Sequence, residues 1–270
     1  MGRVAAWRLC GRPRMAVYKS KGIVLRSIRY GEADRILDLY TRDSGLVSGI
    51  AKGIRRTKSR FGGRLEPLSC VDFLAYEGRT LDTITQVEVL RSFHGVREDL
   101  GSLEAAGNMV GVVRAFSGGD EADRRIFNLL YHALDALEGR GSGFESIGAA
   151  FSLKLSVLAG YTPRLDACVS CDENLDGVEE EYYHYFAPSL GGVLCAYCRV
   201  AANDAFPLPP ETLDTLQILV ARPIREAAVE ERLEESVRRV VSAHVLAHAP
   251  GNTTLATSGR AGRRRAPRPA

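Results

Sequence analysis

The sequence predicts an α+β protein in which a small five-stranded barrel is followed by a helical body that carries a four-cysteine insert. Three observations support this fold class. Short alternating runs of apolar and polar residues fill the first third of the chain, helical periodicity begins after His94, and two Cys-x-x-Cys pairs interrupt the helical part. A chain of 270 residues, 45% of them hydrophobic and 26% charged, is long enough to fold around a sizeable core.

The predicted barrel occupies residues 16–92. Its five strands are expected at 23–25, 35–41, 46–51, 70–76 and 81–90. Every second residue from Leu81 to Val89 is apolar or β-branched, and glycine-bearing turns separate the runs. This pattern is typical of a half-buried antiparallel sheet. Five short strands in about 75 residues favour a closed barrel of the OB type.

The helical body is expected in two parts, residues 93–165 and 201–248. Apolar residues recur at helical spacing in five stretches, at 105–116, 126–137, 147–158, 213–220 and 233–244. Glycines follow the first three stretches, and the segment Pro207-Leu-Pro-Pro210 is expected to introduce the fourth. We expect residues 1–15 to be a disordered lead and residues 249–270 a disordered basic tail, because neither has the apolar pattern of a folded segment.

Charge is distributed unevenly along the chain. Residues 1–92 hold 18 Lys and Arg against 9 Asp and Glu, residues 93–259 hold 13 against 24, and residues 260–270 add five arginines, for an overall charge of +3. A basic first third on an acidic body predicts a polyanionic partner at the barrel end, and a chance fluctuation over a solvated surface is the alternative. With no apolar run long enough to cross a membrane and no secretory h-region near the start, we expect a cytoplasmic protein with reduced thiols.

The strongest chemical signal is a doubled Cys-x-x-Cys motif, Cys168 with Cys171 and Cys195 with Cys198. Each pair can aim two sulfurs at one ion from a tight turn, and Zn²⁺ binds four thiolates tetrahedrally. The spacer of 23 residues contains a strand, a Gly-Gly turn and a second strand, which would bring the second pair back to the first. The sequence therefore predicts one structural Zn²⁺ per chain in a zinc-ribbon-like element at residues 166–200.

Other uses of these cysteines fit the sequence less well. A redox pair normally stands alone near a βαβ pattern, which is lacking here. A catalytic zinc keeps an open coordination position, and the zinc-deaminase signature requires a His-x-Glu sequence that none of the five histidines provides. A site without metal is the remaining alternative. Cys10 and Cys70 have no partner at a suitable spacing and are interpreted as small hydrophobic residues or surface thiols.

The segment 52–64, here called the basic loop, concentrates positive charge. It contains Lys52, Arg55, Arg56, Lys58, Arg60 and Arg64, and no acidic residue occurs between Ser44 and Leu65. Cations on a glycine-bearing loop suit a phosphate backbone, since each contact releases counterions. The sequence therefore predicts the main nucleic-acid contact here, and a solvated surface loop is the alternative.

Aromatic and catalytic signals are weaker. Phe61, Tyr40 and Tyr30 could stack on unpaired bases, although core packing is the simpler interpretation for each. His244 lies on an apolar helical stripe and is interpreted as a packed core histidine. The chain has no Gly-Lys dipeptide, no His-Glu-x-x-His and no Gly-x-Ser-x-Gly, so no catalytic residues and no enzymatic activity are predicted.

A set of sequence segments resembles the bacterial RecO family of recombination mediators over about residues 16–248. In the barrel these segments are Tyr18-Lys-Ser-Lys-Gly-Ile-Val-Leu-Arg26, Gly31-Glu-Ala-Asp34, Thr41 with Gly45, Ala51-Lys-Gly-Ile-Arg55 and Leu65-Glu-Pro67. In the body they are Phe151 to Tyr161, Pro163, the two Cys-x-x-Cys pairs, and Phe186 to Gly192 before Cys195. Each segment alone is a weak signal, and their order and spacing together are specific.

The resemblance implies an N-terminal OB-fold, a helical body and a zinc-binding element. It also implies binding to single- and double-stranded DNA, annealing of complementary strands, and loading of the recombinase onto DNA coated by single-strand-binding protein, in the nucleoid region of the cytoplasm. The implied protein partners are RecR and the acidic C-terminal tail of single-strand-binding protein. Neither a membrane nor a small-molecule substrate is expected. For the acidic tail, the helical body would have to supply cations such as Arg114, Arg124 or Arg125.

The main hypothesis is therefore a non-enzymatic, DNA-binding mediator of recombinational repair. The alternative is a zinc-ribbon transcription or RNA-binding factor that uses the same basic barrel. A third hypothesis, a hydrolase with an unrecognised site, has no catalytic motif in its favour. Annealing of complementary DNA strands separates the first two, and turnover of a nucleotide or phosphodiester would support the third.

Overall fold

The computed structural model describes residues 16–54, 64–117, 122–175 and 184–249. The expected disorder of residues 1–15 and 250–270 concerns segments outside the described residues, as does the interior of the basic loop at 55–63. Among the described residues, no helix is long and apolar enough to cross a membrane.

Five strands close into a barrel of the OB type, as the sequence predicts. They are β1 (Val17–Tyr30), β2 (Asp34–Thr41), β3 (Gly45–Ala51), β4 (Cys70–Tyr76) and β5 (Asp82–Arg91). Their order is β1-β2-β3-β5-β4, and β4 returns to pair with β1. The one difference from the predicted antiparallel sheet is that β3 pairs with β5 in parallel. Alternation within a strand reports which face is buried, but it does not report which distant strand will be the partner.

Strand β1 is much longer than the predicted segment 23–25. A bulge interrupts the alternation of apolar and polar residues, so the sequence pattern did not reveal the full length of the strand. The pairing with β2 shifts by one residue between Val24 and Arg26. An extra residue in one strand moves the following side chains to the opposite face. Ile23, Val24 and Leu25 are therefore consecutively buried, while the flanking parts of the strand alternate or lie exposed.

The interior of the barrel is filled by apolar side chains from all five strands and from both ends of the basic loop. These residues are Val24, Leu37, Leu39, Ala51, Ile54, Leu65, Val71, Phe73, Ala75, Ile84 and Val87. Tyr18 packs against this cluster and donates a hydrogen bond to Asp82. Because the interior is fully occupied by side chains, the barrel is a packed core, and ligands must bind on its surface or at its ends.

The described helices match the five predicted stripes with small extensions at their ends, apart from the short first helix, which was not predicted. They are α1 (His94–Glu98), α2 (Leu100–Phe116), α3 (Arg124–Leu137), α4 (Phe144–Leu158), α5 (Pro210–Ala221) and α6 (Glu231–His248). The described residues form two compact units. The first contains the barrel, α1, the start of α2 up to Ala106, and α3; the second contains the rest of α2, α4 to α6 and the cysteine element.

A small sheet in the second unit was only partly predicted. Strands β6 (His184–Ala187), β7 (Gly192–Leu194) and β8 (Phe206–Leu208) pair in the order β7-β6-β8. The hairpin β6–β7 is the predicted one, and the segment 207–210 introduces α5 at Pro210 as predicted. Strand β8 was not predicted, and it contains Pro207 opposite Tyr185. An edge strand tolerates proline, since one of its sides needs no backbone donor.

Candidate metal centre and nucleic-acid interface

The two Cys-x-x-Cys pairs meet at one point of the second unit. The sulfurs of Cys168, Cys171, Cys195 and Cys198 all lie within 4.8 Å of one another. Sγ of Cys171 and Sγ of Cys195 are 3.8 Å apart, and all four thiols are free. A disulfide would require about 2.05 Å, whereas four sulfurs at about 2.3 Å around a tetrahedral Zn²⁺ lie about 3.8 Å apart. The four cysteines therefore fit a closed four-thiolate metal site.

A tight turn positions the first pair. The backbone N–H of Cys168 donates to Glu173 O (2.8 Å), and that of Asp172 donates to Cys168 O (3.0 Å). Asp172 adopts a positive φ of 63°, and its carboxylate is held by the guanidinium of Arg164, with Nη1–Oδ1 at 2.5 Å. These contacts fix the turn at the point where the chain must reverse between Cys171 and the spacer. The spacing of the cysteines gave no sign of the Arg164–Asp172 pair.

The hairpin β6–β7 returns the second pair to the first through backbone hydrogen bonds. Val169 N donates to Val193 O (2.9 Å), and Val193 N donates to Arg164 O (3.0 Å). Gly191 forms the turn between the strands with φ +69°. Cys195 then follows β7 directly, and Cys198 N donates to Cys195 O (3.1 Å) in the second turn. Two sets of backbone hydrogen bonds thus bring the pairs together.

The thiols of the four cysteines influence one another's acidity. Burial raises the pKa of Cys168, but backbone N–H groups of Cys195, Ser170 and Cys171 stabilise its thiolate and bring the pKa down to about 7. A backbone hydrogen bond to Glu173 lowers the pKa of Cys171, yet the neighbouring thiols raise it to about 12. Because several thiolates this close repel each other, only a bound cation allows all four to ionise at neutral pH.

Both ends of the basic loop are fixed to the barrel. Ile54 at one end is 8% exposed and Leu65 at the other is 1% exposed, and both belong to the barrel core. Gly53 N donates to Oδ1 of Asp34 at the start of β2, with a distance of 2.7 Å. Lys52 and Arg64 are therefore placed at the surface beside these anchors. Arg55, Arg56, Lys58 and Arg60 lie outside the described residues, so their contacts with nucleic acid stay a prediction.

The three aromatic residues predicted as stacking candidates differ in their exposure to solvent, as far as the structure describes them. Tyr40 is 2% exposed and its hydroxyl donates to Asp123 O (3.4 Å), so burial removes it as a stacking surface. Tyr30, at the end of β1, is 55% exposed and is available to a ligand. Phe61 lies outside the described residues. His244 is buried, and its Nε2 lies 2.9 Å from Tyr161 O, which confirms that it is a packed core histidine.

Two of the cations considered for an acidic tail peptide already have partners. Arg124 Nη2 lies 2.7 Å from Oδ1 of Asp43, and Arg125 Nη2 lies 2.7 Å from Oδ2 of Asp123. Both pairs are in the first unit, with the barrel. Arg114 also interacts with other groups of the protein. A peptide carboxylate would have to compete with these partners, so the structure does not favour these three arginines as its binding site.

Comparison with known proteins covers nearly the whole chain. Residues 15–93 match the family described as Recombination protein O N terminal, and residues 97–254 match Recombination protein O C terminal. The chain is 64% identical to a DNA repair protein RecO from Rubrobacter xylanophilus over 252 residues, which covers 93% of this chain and all of the relative. It is also 38% identical to the RecO protein of Bifidobacterium longum subsp. infantis, with 76% of this chain and 83% of the relative covered. For that of Symbiobacterium thermophilum the identity is 34%, with 86% and 92% covered. With both family domains matched in order on the barrel and on the helical part, the chain belongs to the RecO family of DNA repair proteins.

Proposed function

We propose that this chain is a non-enzymatic mediator of recombinational repair that binds and anneals single-stranded DNA and helps to load the recombinase onto DNA coated by single-strand-binding protein. Its membership in a DNA repair family supports the biological setting. The observation that carries the DNA-binding part is the anchoring of a six-cation loop at the end of a closed barrel.

Both ends of the basic loop are anchored in the barrel. Ile54 and Leu65 bury their side chains in its core, so the segment between them begins and ends at the barrel. Five of the six cations lie within this segment, Arg55, Arg56, Lys58, Arg60 and Arg64. No acidic residue occurs between Ser44 and Leu65, so a polyanion that contacts the loop meets only positive charge in this segment. Contacts of this kind read phosphates and not base edges, so binding is expected to be independent of sequence.

The metal site has a structural role in this proposal. Zn²⁺ bound by Cys168, Cys171, Cys195 and Cys198 would have no open coordination position for substrate or water. When bound, the ion would neutralise the thiolates and tie the two turns together. In the described residues, no group of three or more potential metal ligands other than these four cysteines is found.

The protein partners proposed for this chain are RecR and the acidic tail of single-strand-binding protein. A pull-down against single-strand-binding protein with and without its acidic tail tests the second partner. Binding that survives removal of the tail would contradict it. Binding of RecR is tested in a separate pull-down, because it should not depend on the tail of single-strand-binding protein.

Annealing of complementary DNA strands tests the proposed function directly. The protein should accelerate annealing of oligonucleotides coated by single-strand-binding protein, without hydrolysing a nucleotide or cleaving a phosphodiester. Binding of RNA in preference to DNA, with no annealing, would favour a transcription or RNA-binding factor. Turnover of a nucleotide or a phosphodiester would contradict the non-enzymatic role.

A further inference from the structure

Two arginines face each other at the free end of the β1–β2 ribbon. The Cα partners in this part of the ladder include Ser27 with Leu37, Arg29 with Arg35, and Tyr30 with Asp34. Directly opposed side chains of an antiparallel pair have Cβ atoms about 4.5–5.5 Å apart. Like charges in this position repel each other, so the pair of Arg29 and Arg35 costs stability unless something neutralises it.

The bulge in β1 decides which face these arginines occupy. Leu37 and Leu39 of β2 point into the barrel core, and Arg35 continues their row by strand alternation. Because of the one-residue shift after Val24, Ser27 and Arg29 continue the core-facing row of β1. The apolar row therefore ends at the barrel rim in a small polar cluster, in which Arg35 Nη1 donates to Ser27 Oγ (3.2 Å).

Neighbouring carboxylates do not neutralise this pair. Among the described residues, neither Arg29 nor Arg35 has an ion-pair partner within 4.0 Å. Of the acids around the turn, Glu32 is exposed, and Asp34 accepts the backbone N–H of Gly53. Arg26 provides the contrast, because it lies on the other face of the ribbon opposite Asp38.

We propose that Arg29, Arg35 and Ser27 form a phosphate-binding site on the rim of the barrel, separate from the basic loop, that holds a phosphodiester of single-stranded DNA. Two guanidinium groups and a hydroxyl are the donors that most often bind phosphate oxygens, and a bound phosphate converts their repulsion into attraction to a shared anion. The assignment of DNA as the source of the phosphate rests on the proposed function, whereas the anion site itself does not.

Position on the ladder links this site to the basic loop. Arg35 is the Cα partner of Arg29 on one side and of Ala51 on the other, and Lys52 follows Ala51 at the start of the loop. A DNA strand that contacts the start of the loop therefore lies close to a second phosphate-binding position, on the neighbouring β-strand of the same rim.

Thermal melts with inorganic phosphate test the anion site without DNA. Wild type is compared with R29A/R35A, and with R26A as the control on the opposite face, in phosphate and in chloride at equal ionic strength. General salting effects act on all three proteins. The melting temperature in phosphate minus that in chloride should therefore be larger for wild type and R26A than for R29A/R35A. In chloride alone, R29A should melt no lower than wild type, because it removes a like-charge contact.

Salt titrations of binding to an oligothymidine identify the source of the phosphate. The log–log slope should be smaller by about 0.7 for each of R29A and R35A, with little change for R26A. If R29A/R35A retains both the phosphate effect and the wild-type slope, the site is wrong while the proposed function stands. If only the phosphate effect disappears, the anion site stands and DNA as its ligand is wrong. Wild-type protein that binds no DNA at any salt concentration would overturn the proposed function instead.

Discussion

Gly192, the first residue of β7, lies so close to Val169 that no side chain fits between β7 and the first Cys-x-x-Cys turn. A Cβ at position 192 would be 2.5 Å from Cγ1 of Val169 and 2.6 Å from the carbonyl oxygen of Arg164. That oxygen accepts the N–H of Val193, so it cannot move away without breaking the ladder that joins the two pairs. Gly192 is therefore required by close backbone approach, which the sequence pattern does not reveal.

The G192A variant should be less stable by about 1–3 kcal/mol, the usual cost of forcing an extra group into a packed site. Urea unfolding measures the free energy, and zinc release to a chromogenic chelator reports on the sulfurs. G148A in α4 is the control, because a Cβ there meets nothing within 4 Å. Replacing a helical glycine with alanine should raise stability by about 0.5–1 kcal/mol. Equal stability of G192A and wild type would show that the turns do not depend on this contact.

Zinc content tests the metal site. Elemental analysis should find one zinc per chain in wild type, and C195A should lose it and melt at a lower temperature, because metal binding and folding of the element are coupled. C70A is the control: Cys70 is buried in the first unit, so this variant should retain one zinc whatever it does to stability. A folded native protein without bound zinc would contradict the assignment.

Acidification should destabilise the second unit through His244. Burial lowers the pKa of this imidazole, and His248 beside it lowers it further, although the hydrogen bond to Tyr161 O opposes them. The unfolded chain therefore takes up the proton first, and the free energy of unfolding should fall as the pH drops below about 6.5. H244Q keeps a donor for Tyr161 O without the titration.

The difference between wild type and H244Q separates this effect from protonation of the metal ligands, which both proteins share. Thermal melts from pH 7.5 to 5.5 should show a smaller loss of stability for H244Q than for wild type. Parallel curves for the two proteins would show that His244 does not titrate in this range. His184 contributes in the same direction, since burial also lowers its pKa.

Removal of residues 250–270 should weaken DNA binding modestly and leave folding intact. The five arginines after residue 259 attract phosphate without specificity. Helix α6 ends at His248, and Ala249 caps it, so the truncation leaves the last helix complete. A large fall in melting temperature on truncation would contradict this expectation.

Local patterns predicted the parts of the fold that depend on neighbouring residues. The spacing of Cys168 and Cys171 predicted a turn that aims two sulfurs at one point, and the periodicity around Leu130 and Leu134 predicted a buried helical face. The parallel pairing of β3 with β5 could not be predicted in this way, because it depends on distant strands. The contact between Gly192 and Val169 is likewise set by the ladder between the two turns.

The bulge in β1 shows a second limit. Strict alternation from Val24 would place Arg26 on the core-facing side of β1 and Arg29 on the other side. The one-residue shift reverses this, so the face of every later residue in the strand depends on where the bulge lies. Three consecutive apolar residues, Ile23 to Leu25, were visible in the sequence, but they indicate a short buried strand equally well. The cluster of Arg29, Arg35 and Ser27 therefore could be identified only from the register of β1 and β2 in the structure.

The salt dependence of DNA binding tests the central claim most directly. Replacing Arg55, Arg56, Lys58 and Arg60 with alanine should flatten the log–log slope for single strands by up to about 3 units if all four contact phosphate. The melting temperature should barely change, because exposed cations contribute little to folding. A quadruple variant that keeps the affinity and slope of wild type would contradict the account, and the DNA contact would then have to lie elsewhere than on the basic loop.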